Sequence, residues 1–395
     1  VAQIMVLSTL AARGAIRDVG RVMSIPLPDV DRVAKLLPGL VQGKAIPLAN
    51  SLKNIPELKE LYDTQDEMKE LIDNAMALEG AIRSVGTHPA GVIISDKPLT
   101  EYLALHRPTG ANEDLPIKAV AQCDMDTINN LGLLKVDFLA LTTLTIMAKT
   151  CEYIRARGGP DLDLSAIPID DPAVYNYISE GNTAGIFQLE GTGMTRYLTQ
   201  MQPKTIHHVI AMVALYRPGP MEIIPDYIAN MHGEKPVTYQ HPKLESILAE
   251  TYGHAVYQEQ IMQAAVALAG YSPGESDDLR SAISKKKTKE VKKHRAKFIS
   301  GAEAKGISRK NAEEIFAHWE AFADYGFNKS HATNYGIIAV KTAWLKYYYR
   351  PEFMTALLSA WKNTTEKCAV YVAECQNMGI SVLPPNINSS NFDFS

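Results

Sequence analysis

Two charged side chains, Lys135 and Asp137, lie within the otherwise apolar stretch LLKVDFL (133–139). The stretch is short and apolar, which is typical of a buried strand, and residues two apart on a strand point to the same face. Burying two opposite charges there costs free energy, so a functional reason for their presence is worth considering. A carboxylate that binds a metal ion beside an amine that meets phosphate is one such reason. A structural ion pair at a strand end is the alternative, and the stretch alone leaves both open.

The elements that must position these residues follow from the spacing of the apolar positions. Residues 3–22 and 56–79 show helical spacing, whereas 86–140 contains short strand-like segments. Over 141–377 the chain is mainly helical, with Pro and Gly at the interruptions. Residues 380–383 predict a short strand ahead of two prolines. The pattern therefore predicts an α+β fold that is mainly helical, with a small mixed sheet.

The bulk composition is that of an ordinary globular protein of two or three domains. Of its 395 residues, 46% are hydrophobic and 21% charged, and the net charge of −4 argues against a uniformly basic protein. A local basic surface for nucleic acid is compatible with that charge. No apolar run is long enough to span a bilayer, and the sequence opens with no secretory signal, so no membrane partner is expected. Four scattered cysteines without zinc spacing favour reduced thiols and a cytoplasmic location: Cys123, Cys151, Cys368 and Cys375.

Eight segments of the chain resemble, in order, the family of bacterial replicative DNA polymerase III alpha subunits, the C-family polymerases. The segments are AARGAIRDVGRV (11–22), GTHPAGVIIS (86–95), LLKVDFLALTTLT (133–145), GIFQLEGTGM (185–194), ALYRPGPM (214–221), YGHAVYQEQIM (252–262), DDLRSAISKKK (277–287) and DYGFNKSHATNYG (324–336). The resemblance covers almost the whole chain.

The resemblance implies a helical thumb over 1–85, the C-terminal part of a polymerase-beta-like palm over 86–140, and fingers over 141–395. In the family, two further catalytic aspartates sit in a PDxDxDF-type motif ahead of the residues that match Val1. No such motif occurs in this sequence. We therefore expect the chain to be a piece of a polymerase that does not extend a primer by itself.

The resemblance also assigns chemistry to the first pair of charged residues. Asp137 matches the third catalytic aspartate, which binds the metal ion nearest the primer. Lys135 matches a lysine beside the active site that reaches phosphate oxygens. The complete enzyme is expected to use two Mg²⁺ ions, which activate the primer hydroxyl and neutralise the leaving pyrophosphate.

Four residues of the finger-like region are expected to meet the incoming nucleotide. The family pattern makes Arg280, Lys329 and His331 contacts of the triphosphate, which needs several converging donors. Arg217, in YRPGP, is either such a contact or part of an architectural loop. Without the family pattern, each could instead be a solvated base or a loop residue bonded to backbone, and that interpretation is the favoured one for Arg217 and His331. Ser281 stands where the family commonly has a second arginine, and a serine brings a hydroxyl but no charge.

The densest positive run of the chain spans 285–297. Such a run is usually a solvated face, and its spacing on a helix directs some members to solvent. Beside Arg280 in a finger-like region, contact with the phosphate backbone of primer–template DNA is the favoured interpretation. The candidates for DNA binding are Lys285, Lys286, Lys287, Lys292 and Lys293.

Two functions from different classes fit the sequence. The first is part of a template-directed DNA polymerase, with primer–template DNA and deoxynucleoside triphosphates as partners. A sliding clamp and other replisome subunits would bind regions that this chain lacks. The second is a non-catalytic module that binds nucleic acid or nucleotide. The phosphate-binding signature G-x-x-x-x-G-K-[ST] of many NTPases is absent.

Overall fold

A computed structural model describes residues 1–39, 45–108, 117–284, 287–322, 326–388, 390 and 392–395. The chain divides into two compact units, Val1–Ala140 and Leu141–Ser395. Helices predominate in both, and the sheet of the described residues is small and mixed, which confirms the α+β, mainly helical fold class. In these ranges, none of the helices combines the length and apolarity needed to cross a bilayer.

The first unit contains a five-stranded sheet in the order β3-β4-β1-β2-β5. The strand β1 pairs parallel with β4, and the other three neighbours pair antiparallel. A small apolar cluster that includes Ile4, Ile93 and Ile128 packs on the sheet. The strands are β1 Ala2–Thr9, β2 Ile82–Ile94, β3 Leu105–His106, β4 Val120–Ala121 and β5 Leu134–Asp137.

The helix predicted over 3–22 begins only at Ala12, because the residues before it form β1. Ala2–Thr9 contains no glycine or proline, so its apolar residues merge in sequence with those of the helix that follows. Long-range pairing with β2 and β4 decides the conformation instead. The helical prediction was thus wrong for the segment that forms β1.

The helices of the first unit pack around a core of their own. Ile16, Leu58 and Leu71 are fully buried in it. The predicted helical stretch 56–79 is confirmed, with a break at Gln65 between two helices. The helices are α1 Ala12–Val22, α2 Leu27–Leu36, α3 Leu48–Asn54, α4 Pro56–Thr64, α5 Asp66–Leu78 and α6 Met125–Asn130, with a 3-10 turn at Leu99–Glu101.

The second unit is helical, as predicted for 141–377, and the strand predicted at 380–383 does not form. Ile380 and Val382 pack on a core, but the described residues offer that segment no strand partner. The helices are α7 Thr142–Ala156, α8 Pro172–Ser179, α9 Thr192–Met201, α10 Ile206–Leu215, α11 Ile224–Met231, α12 Glu245–Leu248, α13 Gln258–Ala269, α14 Pro273–Ser284, α15 Thr288–Ala304, α16 Arg309–Phe322, α17 Lys329–Tyr348, α18 Arg350–Trp361 and α19 Thr365–Asn377; 3-10 turns cover Pro220–Ile223, Pro242–Leu244 and Ala249–Thr251.

The helix α17 runs through the second unit and presents its first turn to the candidate site. The side chain of Asn328 caps it by accepting the His331 N–H at 2.8 Å. Its buried face packs on α10, and Gly336 permits the close approach: a Cβ there would lie 2.8 Å from the Ile210 side chain. The start of α17 is therefore held from both its cap and its packed face.

Candidate functional site

Lys135 and Asp137 lie on one face of β5, as the spacing predicts, and form an ion pair with Nζ and Oδ2 2.8 Å apart. The strand is not buried, contrary to the prediction. It is the edge strand beside β2, and Leu134 and Phe138 are 60% and 66% exposed. An ion pair with a carboxylate 40% exposed contributes little to stability. A contribution to stability therefore does not explain well why this ion pair is present.

A bulge inside β2 fixes the backbone of β5 at Asp137. His88 Nδ1 accepts hydrogen bonds from the N–H groups of Ala90 and Gly91 at 3.1 and 2.6 Å. Gly91 pairs with Asp137 in the sheet, and the Phe138 N–H donates to the Ala90 carbonyl at 2.9 Å. A Cβ on Gly91 would lie 2.9 Å from His88 Nδ1, so the close approach of the two residues in the bulge favours glycine. The carboxylate of Asp137 thus projects from a well-anchored position.

Asp137 does not complete a metal site with the other described residues. Within those ranges, no group of three or more His, Cys, Asp or Glu side chains is placed to hold a metal ion. A magnesium pair needs several oxygen ligands and more than one carboxylate. The described residues therefore supply one candidate metal ligand and do not fit a metal pair by themselves.

A second constellation forms in the other unit, around residues 326–328. These residues, here the 326–328 segment, are fastened to the start of α13 by backbone hydrogen bonds. The Phe327 N–H donates to the Val256 carbonyl at 3.2 Å, and the Gln258 N–H donates to the Phe327 carbonyl at 2.9 Å. Gln258 Nε2 also donates to the Gly326 carbonyl at 3.0 Å. The segment is therefore a fixed platform.

Arg217 packs on this platform. Its guanidinium carbon lies 4.1 Å from the centre of the Phe327 ring, within cation–π range. Its Nε donates to the Ala214 carbonyl at 2.9 Å, which orients the side chain. Burial lowers the pKa of the guanidinium, although arginine keeps its charge at physiological pH. The RPGP turn thus carries a half-buried cation to the 326–328 segment.

His331 also packs against the Phe327 ring. The ring centres of Phe327 and His331 are 5.4 Å apart, and His331 and Tyr335 are 4.1 Å apart. The side chain of His331 is exposed. Its two aromatic neighbours hold an imidazole at the surface, from which it can donate or accept a hydrogen bond.

Lys329 begins α17 and is surrounded by two carboxylates and a ring. Its Nζ donates to Glu250 Oε2 at 2.6 Å and lies 5.5 Å from the centre of the Tyr257 ring. Its backbone N–H is shared by the two carboxylate oxygens of Glu259, at 3.0 and 2.9 Å. The side chain of Lys329 is 37% exposed, so a ligand can still approach it.

Arg280 approaches the platform from α14. With Gln258 and Gly326 it lines a small cavity beside Phe322. Its Nε donates to Asp277 Oδ1 at 2.7 Å, and that hydrogen bond lowers the pKa of Asp277. The structure therefore brings four residues, predicted from three separate segments, around one platform. Their contact with a nucleotide stays a prediction.

The described part of the basic run, 287–297, lies on and just ahead of α15. Lys285 and Lys286 lie outside the described residues. Lys287, Lys292 and Lys293 are exposed, and the described part of the chain offers none of them an ion-pair partner. Arg295 instead pairs with Glu320 at 3.1 Å, and Lys297 pairs with Glu275. The run therefore divides into members bound to protein carboxylates and members directed to solvent.

Several residues that build the platform were not singled out from the sequence. Most fall in or beside the family-like segment YGHAVYQEQIM (252–262), which was recognised as a whole. The signal that was available is one glutamate inside the segment and a second just ahead of it, Glu259 and Glu250, because two acids that can meet a basic motif indicate a charge network. The residues are Glu250, Tyr257, Gln258, Glu259 and Phe327.

Two family models match the chain. Residues 1–140 match the model described as "Bacterial DNA polymerase III alpha NTPase domain", and residues 143–306 match "Bacterial DNA polymerase III alpha subunit finger domain". The chain is 44% identical over 400 residues to DNA polymerase III subunit alpha of Thermus aquaticus, covering all of this chain and 32% of the relative. It is 41% identical to that of Neisseria meningitidis Z2491 and 40% to that of Escherichia coli K12, covering 34% of each. The chain thus spans about a third of the length of these relatives.

Proposed function

Since the chain belongs to the family of bacterial DNA polymerase III alpha subunits, we propose that it forms part of a template-directed DNA polymerase that adds deoxynucleotides to a primer 3′ end. The observation that carries the proposal is the convergence of Arg217, Arg280, Lys329 and His331 around the 326–328 segment. This constellation would bind the triphosphate of the incoming nucleotide.

The chemistry of that constellation suits a triphosphate. Three cations and an imidazole supply donors from different directions, and charge-assisted hydrogen bonds to phosphate are the stronger class. A platform fixed by backbone hydrogen bonds keeps those donors in place before the ligand arrives. Lys329 and Arg280 each point one donor group at a protein carboxylate, so each is oriented. Phosphate oxygens can compete for both.

Asp137 and Lys135 would act at the primer end of the reaction. We propose that Asp137 supplies one carboxylate to a pair of Mg²⁺ ions whose other ligands come from the rest of the polymerase. When bound, such ions activate the attacking hydroxyl and stabilise the leaving group. Lys135, 2.8 Å from Asp137, would hold the carboxylate in place and present its ammonium to phosphate.

The proposed domain division keeps residues 1–85 as a helical thumb, 86–140 as the last part of the palm and 141–395 as the fingers. The pairing of β1 with β2 adds one refinement, since Ala2–Thr9 belongs to the same sheet as β5. Those residues would therefore be palm, and the thumb would consist of the helices from α1 to α5.

By itself the chain is proposed to bind without catalysis. Asp137 is the single acid on β5, and the described residues give it no second carboxylate with which to hold a metal pair. This observation favours the second candidate function, a nucleotide- or DNA-binding module, for the isolated 395 residues. Primer extension by this chain alone, with magnesium and all four nucleotides, would contradict the assignment of Asp137.

The test of the nucleotide site is single-nucleotide incorporation by the complete polymerase carrying Lys329→Ala or Arg280→Ala. Removing either charge-assisted hydrogen bond should cost roughly 1.5–3 kcal/mol and raise the apparent KM for nucleotide by about ten- to a hundredfold. Arg309→Ala is the matched control, since Arg309 is exposed and pairs with Glu313 on its own helix. Unchanged kinetics for both Lys329→Ala and Arg280→Ala would refute the site.

The partners proposed for the complete protein are primer–template DNA and deoxynucleoside triphosphates. Replisome subunits, including a sliding clamp, would bind segments of the polymerase that this chain does not contain. We propose the bacterial cytoplasm as its location, because the nucleotides and the chromosome are there.

A further inference from the structure

Two glutamates accept hydrogen bonds from two different groups of Lys329. Glu250 accepts from the side-chain Nζ at 2.6 Å, whereas Glu259 accepts from the backbone N–H with both oxygens, at 3.0 and 2.9 Å. Glu259 also accepts from Asn328 Nδ2 at 3.0 Å. The first turn of α17 therefore already has a carboxylate on its Lys329 N–H group, where helices attract anions.

The positions of the two carboxylates are fixed by their surroundings. Glu250 lies in the 3-10 turn Ala249–Thr251, and the Thr251 hydroxyl donates to the His254 carbonyl at 2.6 Å. Gln260 Nε2 donates to that hydroxyl at 2.8 Å, which ties the turn to α13. Glu259 is on the first turn of α13 itself. The backbone that carries each carboxylate is therefore held in place, and Glu250 Oε1 also lies 3.1 Å from His207 Nδ1.

The two hydrogen bonds differ in what can replace them. The backbone N–H of Lys329 is immobile in the helix, so its bond to Glu259 persists unless α17 itself shifts. The Nζ sits on a flexible four-carbon stem with three donors and can turn to another acceptor. A phosphate oxygen is such an acceptor, and a triphosphate carries more charge than the single carboxylate of Glu250.

We propose that Glu250 is a positioning residue that holds Lys329 Nζ while no nucleotide is bound and yields it to the triphosphate, whereas Glu259 anchors the first turn of α17 throughout. The inference rests on the proposed nucleotide site and deepens it. Glu250 competes with phosphate for the Lys329 ammonium, whereas Glu259 holds the Lys329 backbone N–H in place. Removing the charge of each should therefore change nucleotide binding in opposite directions.

The experiment compares Glu250→Gln and Glu259→Gln in the complete polymerase by single-nucleotide incorporation. Glu250→Gln should lower the apparent KM for nucleotide roughly two- to fivefold, as expected for the removal of a partly exposed ion pair, with kcat little changed. Glu259→Gln should raise the KM, because the anchor of Lys329 weakens. Glu313→Gln is the control, since it removes one negative charge from a pair with Arg309 on α16.

Two further comparisons separate the possible results. Glu250→Asp keeps the charge but shortens its reach, so its KM should fall between those of wild type and Glu250→Gln. In a Lys329→Ala background, Glu250→Gln should have no further effect on KM. A raised or unchanged KM for Glu250→Gln would overturn the inference, as would an equal effect in the Lys329→Ala background. An unchanged KM for the single variant Lys329→Ala would overturn the inference by removing Lys329 from the nucleotide site, whereas an unchanged KM for both Lys329→Ala and Arg280→Ala would refute the nucleotide site itself.

Melting temperatures of all variants keep the test decisive. A purely structural role for Glu250 predicts that Glu250→Gln lowers the melting temperature and raises KM together. The competitor role predicts a lower KM at a nearly unchanged melting temperature. If Glu250→Gln does not fold, Glu250→Asp carries the test, and a KM no lower than that of wild type would overturn the inference.

Discussion

The two candidate sites differ in how the chain assembles them. Lys135 and Asp137 are two residues apart on one edge strand, and their proximity follows from the period of a strand. The constellation around the 326–328 segment collects side chains from α14, α17 and the loop after α10, and backbone hydrogen bonds to α13 fix it. The first site is local and solvent-facing, whereas the second depends on packing throughout its unit.

The difference has a consequence for which changes each site tolerates. A substitution on β5 should alter chemistry while leaving the fold intact, because the strand is exposed on the sheet edge. A substitution under the platform should disturb position first and chemistry second, since buried packing transmits small displacements. Five sets of variants probe this contrast, beginning with the one expected to have the largest effect.

Asp137→Asn in the complete polymerase should reduce the incorporation rate by several orders of magnitude while DNA affinity barely changes. The amide keeps the shape of the carboxylate but loses the charge that attracts a metal ion. Rates from rapid quench and DNA affinity from fluorescence anisotropy provide the measurements. Asp126→Asn, an exposed acid on α6 of the same unit, is the control. A near-normal incorporation rate for Asp137→Asn would contradict the catalytic role and favour the alternative, in which Asp137 forms only a structural ion pair.

Acid should loosen the second unit through His208. Burial lowers the pKa of this histidine from its ordinary 6.5 to about 4. The Lys204 N–H donates to Nδ1 at 3.1 Å, and Nε2 lies 2.8 Å from the Tyr252 hydroxyl, so the neutral ring is the one that fits. The unfolded chain takes up the proton first as pH falls, so stability that is complete above pH 6.5 is lost as pH falls through 4.

Tryptophan fluorescence measures that decrease in the second unit alone, because Trp319, Trp344 and Trp361 all lie there. The free energy of unfolding from urea titrations should fall by roughly 2–3 kcal/mol between about pH 6.5 and 4 more in wild type than in His208→Gln. His254, whose pKa burial also lowers, contributes equally to both proteins and cancels. Identical pH profiles for the two proteins would contradict the assignment.

Gly326→Ala should displace the platform itself. A Cβ at this position would lie 2.5 Å from a ring carbon of Phe322 and 3.2 Å from Gln258 Cγ. Overpacking of this kind costs about 1–3 kcal/mol, and we expect a lower melting temperature together with a raised KM for nucleotide. Gly274→Ala is the control, since nothing lies within 4 Å of the added carbon there. A raised KM for Gly274→Ala as well would remove the special role of the platform.

The glutamate pair around Lys329 gives a smaller effect, and its sign is what matters. Glu250→Gln should tighten nucleotide binding, whereas Glu259→Gln should weaken it, although both substitutions remove one negative charge near the same lysine. The apparent KM for nucleotide measures both. Equal shifts in the same direction would mean that the two carboxylates act only through the overall charge of the platform.

The exposed lysines at the start of α15 should give the smallest effect. Replacing Lys287, Lys292 and Lys293 with Gln should weaken primer–template binding irrespective of sequence. The slope of log affinity against log salt should flatten by nearly one unit for each phosphate group that is no longer neutralised. Lys305→Gln is the control, because its Nζ donates to the Val266 and Ala267 carbonyls. An unchanged slope would mean that these lysines are only solvated and do not contact DNA.

The sequence predicted the local features of the fold well. The fold class, the helices of 56–79 and the shared face of Lys135 and Asp137 follow from the spacing of apolar and charged residues. The predictions from sequence were wrong where the conformation of a segment depends on pairing partners far away along the chain. Residues 2–9 became a strand by pairing with β2, and residues 380–383 stayed irregular because the described residues offer them no partner.

The candidate site shows the same division. The basic residues Arg280 and Lys329 stood in recognisable segments, so a contact with phosphate could be proposed for both from the sequence, and that contact stays a prediction. The carboxylates that hold Lys329 were not predicted, because Glu250 and Lys329 meet only in the folded unit. The exposure of β5 was also not predicted. An apolar stretch has the same sequence pattern whether it becomes an edge strand with one neighbour or a central strand with two.

The exposed edge of β5 has a consequence for how the chain behaves at high concentration. β5 ends the described sheet with β2 as its one neighbour, and apolar side chains at Leu134, Phe138 and Leu139 face solvent. An apolar edge strand with free backbone donors and acceptors is a template for another strand, including that of a second copy. Self-association should therefore rise with concentration, and a short peptide that adds a strand to β5 should suppress it. The same edge that exposes the Asp137 carboxylate should therefore limit the solubility of the isolated chain.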